Sequence, residues 1–344
     1  LNKEDLTKVI SDPSYDFLRT NPHLSGRIIF LTLGGSHAYG TNVEGSDIDV
    51  RGCALNSMSD IVGLTNFEQF VNETTDTTIY AFNKLLKLLI SCNPNTIELL
   101  GCRPDSYVMV SKEGQLLLDN KKLFLSRRAI HAFGGYANSQ LRRLQNALAH
   151  DHYPQNEKEK HILGTCKSVM EDFRLHYENV PDGSVKLYID QGVTDGMETE
   201  IFTDVSLQHY PLRNFKAMVN ELGNVIGLYA KLGKRNTKKD DLHLNKHVMH
   251  LVRLYLMCFD ILEKGEINTY REDRDFLLEI RNGKFQKPDG TFDASFFEMI
   301  DDFEKRLKYD GENTSLPDKP DMTAIQDLAI EVNRAIVLNE GDAK

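Results

Sequence analysis

Two aspartates one residue apart, Asp47 and Asp49, follow a glycine-serine pair, Gly35 and Ser36, and these four residues carry the spacing that points to chemistry. In a strand, alternate side chains share a face. Asp47 and Asp49 would then stand side by side, with Ile48 turned to the core. Adjacent like charges are unfavourable unless a cation sits between them. A hard divalent ion held by carboxylate oxygens fits, and Mg²⁺ (or Mn²⁺) is the usual choice where phosphates share the coordination. Gly34 and Gly35 lack side chains, so backbone N–H groups there can come close to a phosphate. Ser36 adds a hydroxyl, and a helix starting there aims its positive end at an anion. The plain alternative is a glycine turn before an exposed edge strand with two solvated aspartates.

These residues need elements to hold them. The apolar run at residues 27–33 predicts a first core strand leading into the glycine turn. Residues 47–55 predict a second strand carrying both aspartates. Residues 60–71 read as loop or short strand, and residues 76–80 as a third strand. Residues 80–91 predict a helix, because Ile79, Phe82, Leu85, Leu86 and Leu89 share one face and Asn83, Lys84 and Lys87 the other. Asn93 and Pro94 then suit the cap and first position of a new helix. Arg51 has two readings: it lies near a bound nucleotide, or it neutralises the carboxylates when no metal is present.

The fuller string, Gly35-Ser36-His37-Ala38-Tyr39-Gly40-Thr41 with Ser46-Asp47-Ile48-Asp49-Val50-Arg51-Gly52, resembles the DNA polymerase β-like nucleotidyltransferase superfamily. Within it the chain is similar to predicted bacterial and phage nucleotidyltransferases that include RNA-repair-locus-associated members. Asn93-Pro94-Asn95 followed by Glu98-Leu99-Leu100 resembles the same branch, as packing beneath the third strand or a substrate contact from Asn93 or Glu98. The resemblance implies a third carboxylate on a neighbouring strand, which binds metal and helps deprotonate the attacking hydroxyl. Asp76 is the candidate by position, and Glu73 the alternative.

The chain has 344 residues, 40 % of them hydrophobic, enough for two domains and a sizeable core. Lys and Arg number 41 against 51 Asp and Glu, a net charge of −10, so any RNA or nucleotide contact must come from a local patch. Five scattered cysteines without a Cys-x-x-Cys pair argue against a disulfide framework or zinc ribbon and for a reducing compartment. No apolar run is long enough to span a bilayer, and no signal peptide precedes the first strand, so no membrane partner is expected and a cytoplasmic location is.

Beyond residue 108 the sequence turns largely helical, with short β-prone pieces around turns near residues 179–210. A basic stretch, residues 231–239, stands out in an acidic chain. After it, Lys246, His250 and Arg253 fall at i, i+4 and i+7 of a helix, a spacing that gives one cationic face suited to a triphosphate or RNA backbone. The alternative is a solvated face pairing with Asp240 and Asp241. The run resembles the second domain of the same branch. Arg271 and Arg281 are further phosphate candidates. A zinc site from His243, His247 and His250 is disfavoured, having neither a nearby Cys nor a His-Glu-x-x-His pattern.

The expected fold class is α+β: a small mixed-sheet nucleotidyltransferase core over residues 1–108, then a mostly helical domain over 109–344 with an insertion near 179–210. The expected reaction moves a nucleoside monophosphate from an NTP to an acceptor hydroxyl. Asp47, Asp49 and Asp76 are expected as catalytic and metal-binding residues, and Gly35, Ser36, Arg51, Lys246, His250 and Arg253 as nucleotide-binding ones. The acceptor is an RNA 3′ end or tRNA, a protein hydroxyl, or a small molecule. An inactive nucleotide- or RNA-binding module is the competing class.

Overall fold

A computed structural model describes residues 3–152, 160, 162–167, 184–193, 199–235, 241–288 and 290–341. The elements that matter are strands β1 (Ile28–Leu33), β2 (Val50–Ala54), β3 (Gln69–Asn72), β4 (Thr77–Ala81) and β5 (Tyr107–Val110). They form one mixed sheet in the order β3-β4-β2-β1-β5. β2 and β4 run parallel, and the other pairs are antiparallel. The α+β class is therefore as expected.

β1 lies mid-sheet and is buried on both faces, which is why its sequence is almost unbroken apolar. One face of the sheet presents Leu31, Leu33, Val50, Ile79 and Val108 to a cluster built with Leu6, Tyr15 and Leu18. Leu6 belongs to helix α1 (Lys3–Ile10). Helix α2 (Gly35–Tyr39) follows β1 directly. Helix α3 (Phe82–Ile90) packs on β2 and β4 and buries Phe82, Leu85, Leu86 and Leu89, the face its spacing predicted. Its first turn is capped from outside: the Asn83 N–H donates to Asn56 Oδ1 at 3.0 Å.

The longer helices are α4 (Arg128–His152), α5 (Leu212–Arg235), α6 (Asp241–Phe259), α7 (Arg274–Arg281), α8 (Ala294–Asn313) and α9 (Met322–Gly341). α9 packs on α3 and on the short helix Met58–Val62. Its Glu340 pairs with Arg27 at 2.6 Å and accepts from the Met58 N–H at 2.9 Å. Strands β6 (Val185–Gln191) and β7 (Thr199–Val205) pair antiparallel, inside the region where an insertion was expected.

One expectation needs correction. The second strand does not include the aspartates: β2 begins at Val50, and residues 46–49 lead into it outside the strand. A boundary at residue 108 would cut through β5, which pairs with β1. Two compact units are present, residues 1–139 with 248–284 and 294–344, and residues 140–247 with 285–293. Residues 69–72 form an edge strand, overlapping the segment read as loop or short strand.

Candidate active site

The site is built where β1 ends and β2 and β4 begin. Gly34 caps α2 in an extended conformation, and Gly35 has φ +54°. That left-handed backbone favours glycine. Packing demands it as well. A Cβ on Gly35 would lie 1.8 Å from Asp49 Oδ2, and one on Gly34 would lie 2.7 Å from Arg51 Cγ. The Gly34 N–H donates to the Asp49 carbonyl at 2.8 Å, so it is spent on the fold rather than offered to a ligand. The N–H groups of a first helical turn have no partner within the helix. His37 Nε2 sits 3.4 Å from the Ser46 carbonyl and ties α2 to the loop carrying the aspartates.

The parallel register pairs Val50 with Thr77, which sets the residue before each strand, Asp49 and Asp76, side by side. The Val50 N–H donates to the Asp76 carbonyl at 3.2 Å. Arg51 joins the two acids: Nη2 lies 3.1 Å from Asp49 Oδ1 and 3.0 Å from Asp76 Oδ1, and Nη1 donates to the Asp76 carbonyl. Asp76 adopts φ +41°, which aspartate tolerates better than most residues. A hydrogen bond with Asp49 lowers its pKa, burial opposes this, and the Arg51 charge lowers it further. Of the two readings of Arg51, neutralisation of carboxylates is the geometry seen, with Asp49 and Asp76 as the pair.

Asp47 is exposed, while Ile48 turns onto the core cluster. Among the described residues no three His, Cys, Asp or Glu side chains converge as a metal set. Of the expected trio, Asp49 and Asp76 meet at Arg51, and Asp47 is exposed. Glu73 is exposed in the β3–β4 turn.

The cationic helix face divides by burial. On α6, Lys246 is exposed, His250 is half-buried and Arg253 is buried. His250 meets the Tyr39 ring edge-on at 6.3 Å. Arg253 is not free to clamp a phosphate: Nη1 donates to Glu98 Oε2 at 3.0 Å, and its guanidinium lies 3.7 Å from the Tyr39 ring centroid. Arg271 is likewise spent, on Asp260 at 2.7 Å and Asp273 at 2.9 Å. Arg281 donates to the Thr41 carbonyl at 2.9 Å, at the far end of the signature loop. Residues 236–239 of the basic stretch lie outside the described residues. Asn93 caps its helix by accepting from the Asn95 N–H at 3.0 Å, as expected.

A family model described as the RNA repair pathway DNA polymerase beta family matches residues 10–331. The chain belongs to that family. The match spans both compact units and includes the glycine-serine turn, the aspartates and α6. No curated protein matches the chain. Family membership points to a nucleotidyltransferase-like enzyme that takes a nucleotide. No described helix is long and apolar enough to cross a membrane.

Sequence reasoning missed two features of this family member. Tyr39 and Glu98 form a buried pair, Tyr39 Oη donating to Glu98 Oε1 at 2.8 Å. The motif held the signal, an aromatic closing the short α2 helix, but its partner is 59 residues away. The second is that Arg51 pairs with Asp49 and Asp76, which precede two different strands, rather than with Asp47 and Asp49.

Proposed function

We propose that the protein is a metal-dependent nucleotidyltransferase that moves a nucleoside monophosphate from an NTP to an RNA 3′ end, releasing pyrophosphate. The carrying observation is that Asp49 and Asp76 meet at the start of two parallel strands, with Asp49 pressed against Gly35.

The donor chemistry suits a hard divalent cation. Asp49 and Asp76 are close enough to hydrogen-bond and already share one cation, Arg51. Mg²⁺ or Mn²⁺ would be held by these two carboxylates, with Asp47 as the next oxygen donor along the loop. When bound, the ion neutralises phosphate charge and lowers the pKa of the acceptor hydroxyl.

The rest falls to the chain itself. The first turn of α2, with Ser36, holds the β- and γ-phosphates. Arg51 is the nearest cation to them once it leaves the carboxylates. The acceptor oxygen bonds to the α-phosphorus, the bond to the pyrophosphate oxygen breaks, and the hydroxyl proton passes by way of Asp76 to water. Asp76 is the more exposed acid of the pair, so it can hand that proton on. Its lowered pKa suits it better to holding a cation than to keeping a proton. Catalysis of this kind rests on positioning and charge.

The test is incubation with each labelled NTP, Mg²⁺ or Mn²⁺, RNA and a cell lysate, for the wild type and Asp49→Asn. Labelled RNA from the wild type alone supports the proposal. Labelled protein would make it a protein-modifying enzyme. Nucleotide binding without transfer, equal in both proteins, would make it a binding module.

A further inference from the structure

Tyr39 is the last residue of α2, five residues long, whose first residue is Gly35. Its hydroxyl donates to Glu98 Oε1 at 2.8 Å, and the other carboxylate oxygen, Oε2, accepts from Arg253 Nη1 at 3.0 Å. Arg253 also covers the Tyr39 ring at 3.7 Å. The Glu98 and Arg253 side chains are 8 % and 5 % exposed, so this pair is shielded from water and from salt. Burial pushes the Tyr39 pKa well up, which keeps the hydroxyl a donor at working pH. The same corner is fastened from the backbone: the Arg271 N–H donates to the Tyr39 carbonyl at 3.1 Å, and Thr269 Oγ1 donates to the Glu98 carbonyl. The Tyr270 ring fills the space beside Gly40, where a Cβ would lie 2.6 Å from it.

Arg253 Nε is buried without a hydrogen-bond partner, but both Glu98 carboxylate oxygens are satisfied, and a pairing this buried favours one geometry. None of the three side chains is in the cluster of Asp49, Arg51 and Asp76. What they share is the C-terminal end of α2.

We propose that Glu98 and Arg253 are positioning residues that act through Tyr39. They fix the end of α2, and across that short helix they hold Gly35 and Ser36 in register with Asp49. This rests on the nucleotidyl-transfer reading above. It replaces the direct phosphate contact expected of Arg253.

Tyr39→Phe is the sharpest variant, since it removes one hydroxyl and keeps the ring. We expect kcat to fall about tenfold with KM for NTP changed less than about threefold, because small misplacements act on the transition state. The melting temperature should stay within a few degrees of wild type. Glu98→Gln should lower kcat as well, and the double variant no further, since both act on one unit. Arg253→Lys should restore only part of what Arg253→Met loses, because lysine can reach the carboxylate but has no planar group to lie over the ring. Amide exchange supplies a readout free of activity: residues 35–41 should exchange about tenfold faster in Tyr39→Phe while β1 is unchanged.

A purely structural role predicts a lower melting temperature with wild-type kcat in the folded protein, and would overturn the proposal. So would unchanged exchange over residues 35–41. If the wild type transfers no nucleotide to any acceptor, the functional reading fails, and the exchange experiment alone decides whether the network positions α2.

Discussion

At the scale of single residues, Gly35 and Asp76 carry the sharpest expectations. Gly35→Ala puts a methyl group where Asp49 Oδ2 now lies and forces a left-handed backbone on alanine. The backbone alone should cost about 1–2 kcal/mol. Nucleotide transfer should fall by about 100-fold, because the carboxylate must move by an ångström or more. Steady-state kinetics beside a denaturant titration separates the two effects. Asp76→Asn should behave differently. Its pair with Arg51 is half exposed, so stability should change by less than about 1 kcal/mol while transfer is lost. If Asp76→Asn retains wild-type transfer, its place in the chemistry is wrong. The glycine-serine turn and Asp49 were legible because they lie close in sequence and local geometry links them. Arg253 was misread for the opposite reason: Glu98 is 155 residues away, and helical spacing alone does not say which side of α6 is buried.

Among the elements, β1 and α3 were read correctly from their apolar patterns, since burial on both faces or on one stripe leaves a direct mark in sequence. The start of β2 was not. Alternation of Asp47, Ile48 and Asp49 looks like a strand, but a strand needs a partner, and pairing with β1 stops at Val50. β3 left little signal because an edge strand of four residues alternates only weakly. The α3 helix holds the sheet beneath Asp49 and Asp76 in place. Leu85 is fully buried there, and Leu85→Ala should cost about 2–5 kcal/mol in a urea titration. Asn56→Ala should cost about 1 kcal/mol, because it removes the acceptor that caps the helix from outside. If Asn56→Ala proves neutral, water replaces that cap.

For the whole molecule, stability should depend on pH through one buried acid of α8. Asp310 is pushed up to about 6, chiefly by burial and then by its hydrogen bond and repulsion with Glu263, with Arg306 pulling the other way. The folded state thus holds a proton that the unfolded chain, with an ordinary aspartate near about 4, gives up earlier. The contribution is complete below about pH 4 and is lost as pH rises through about 6. Asp310→Asn should flatten the fall in melting temperature between those limits, as scanning calorimetry at several pH values would show. An unchanged slope would mean that Asp310 titrates normally.

The Glu340 contacts carry a consequence for how the protein is made. Arg27 enters β1 near one end of the sequence, and the carboxylate that pairs with it sits on α9, 313 positions later. A ribosome must therefore deliver residue 340 before the strand that seats the glycine turn receives this ionic staple. Contacts this far apart close slowly. Nascent chains stalled before α9 should expose Met58 and the outer side of α3, and so depend on chaperones until synthesis passes residue 340.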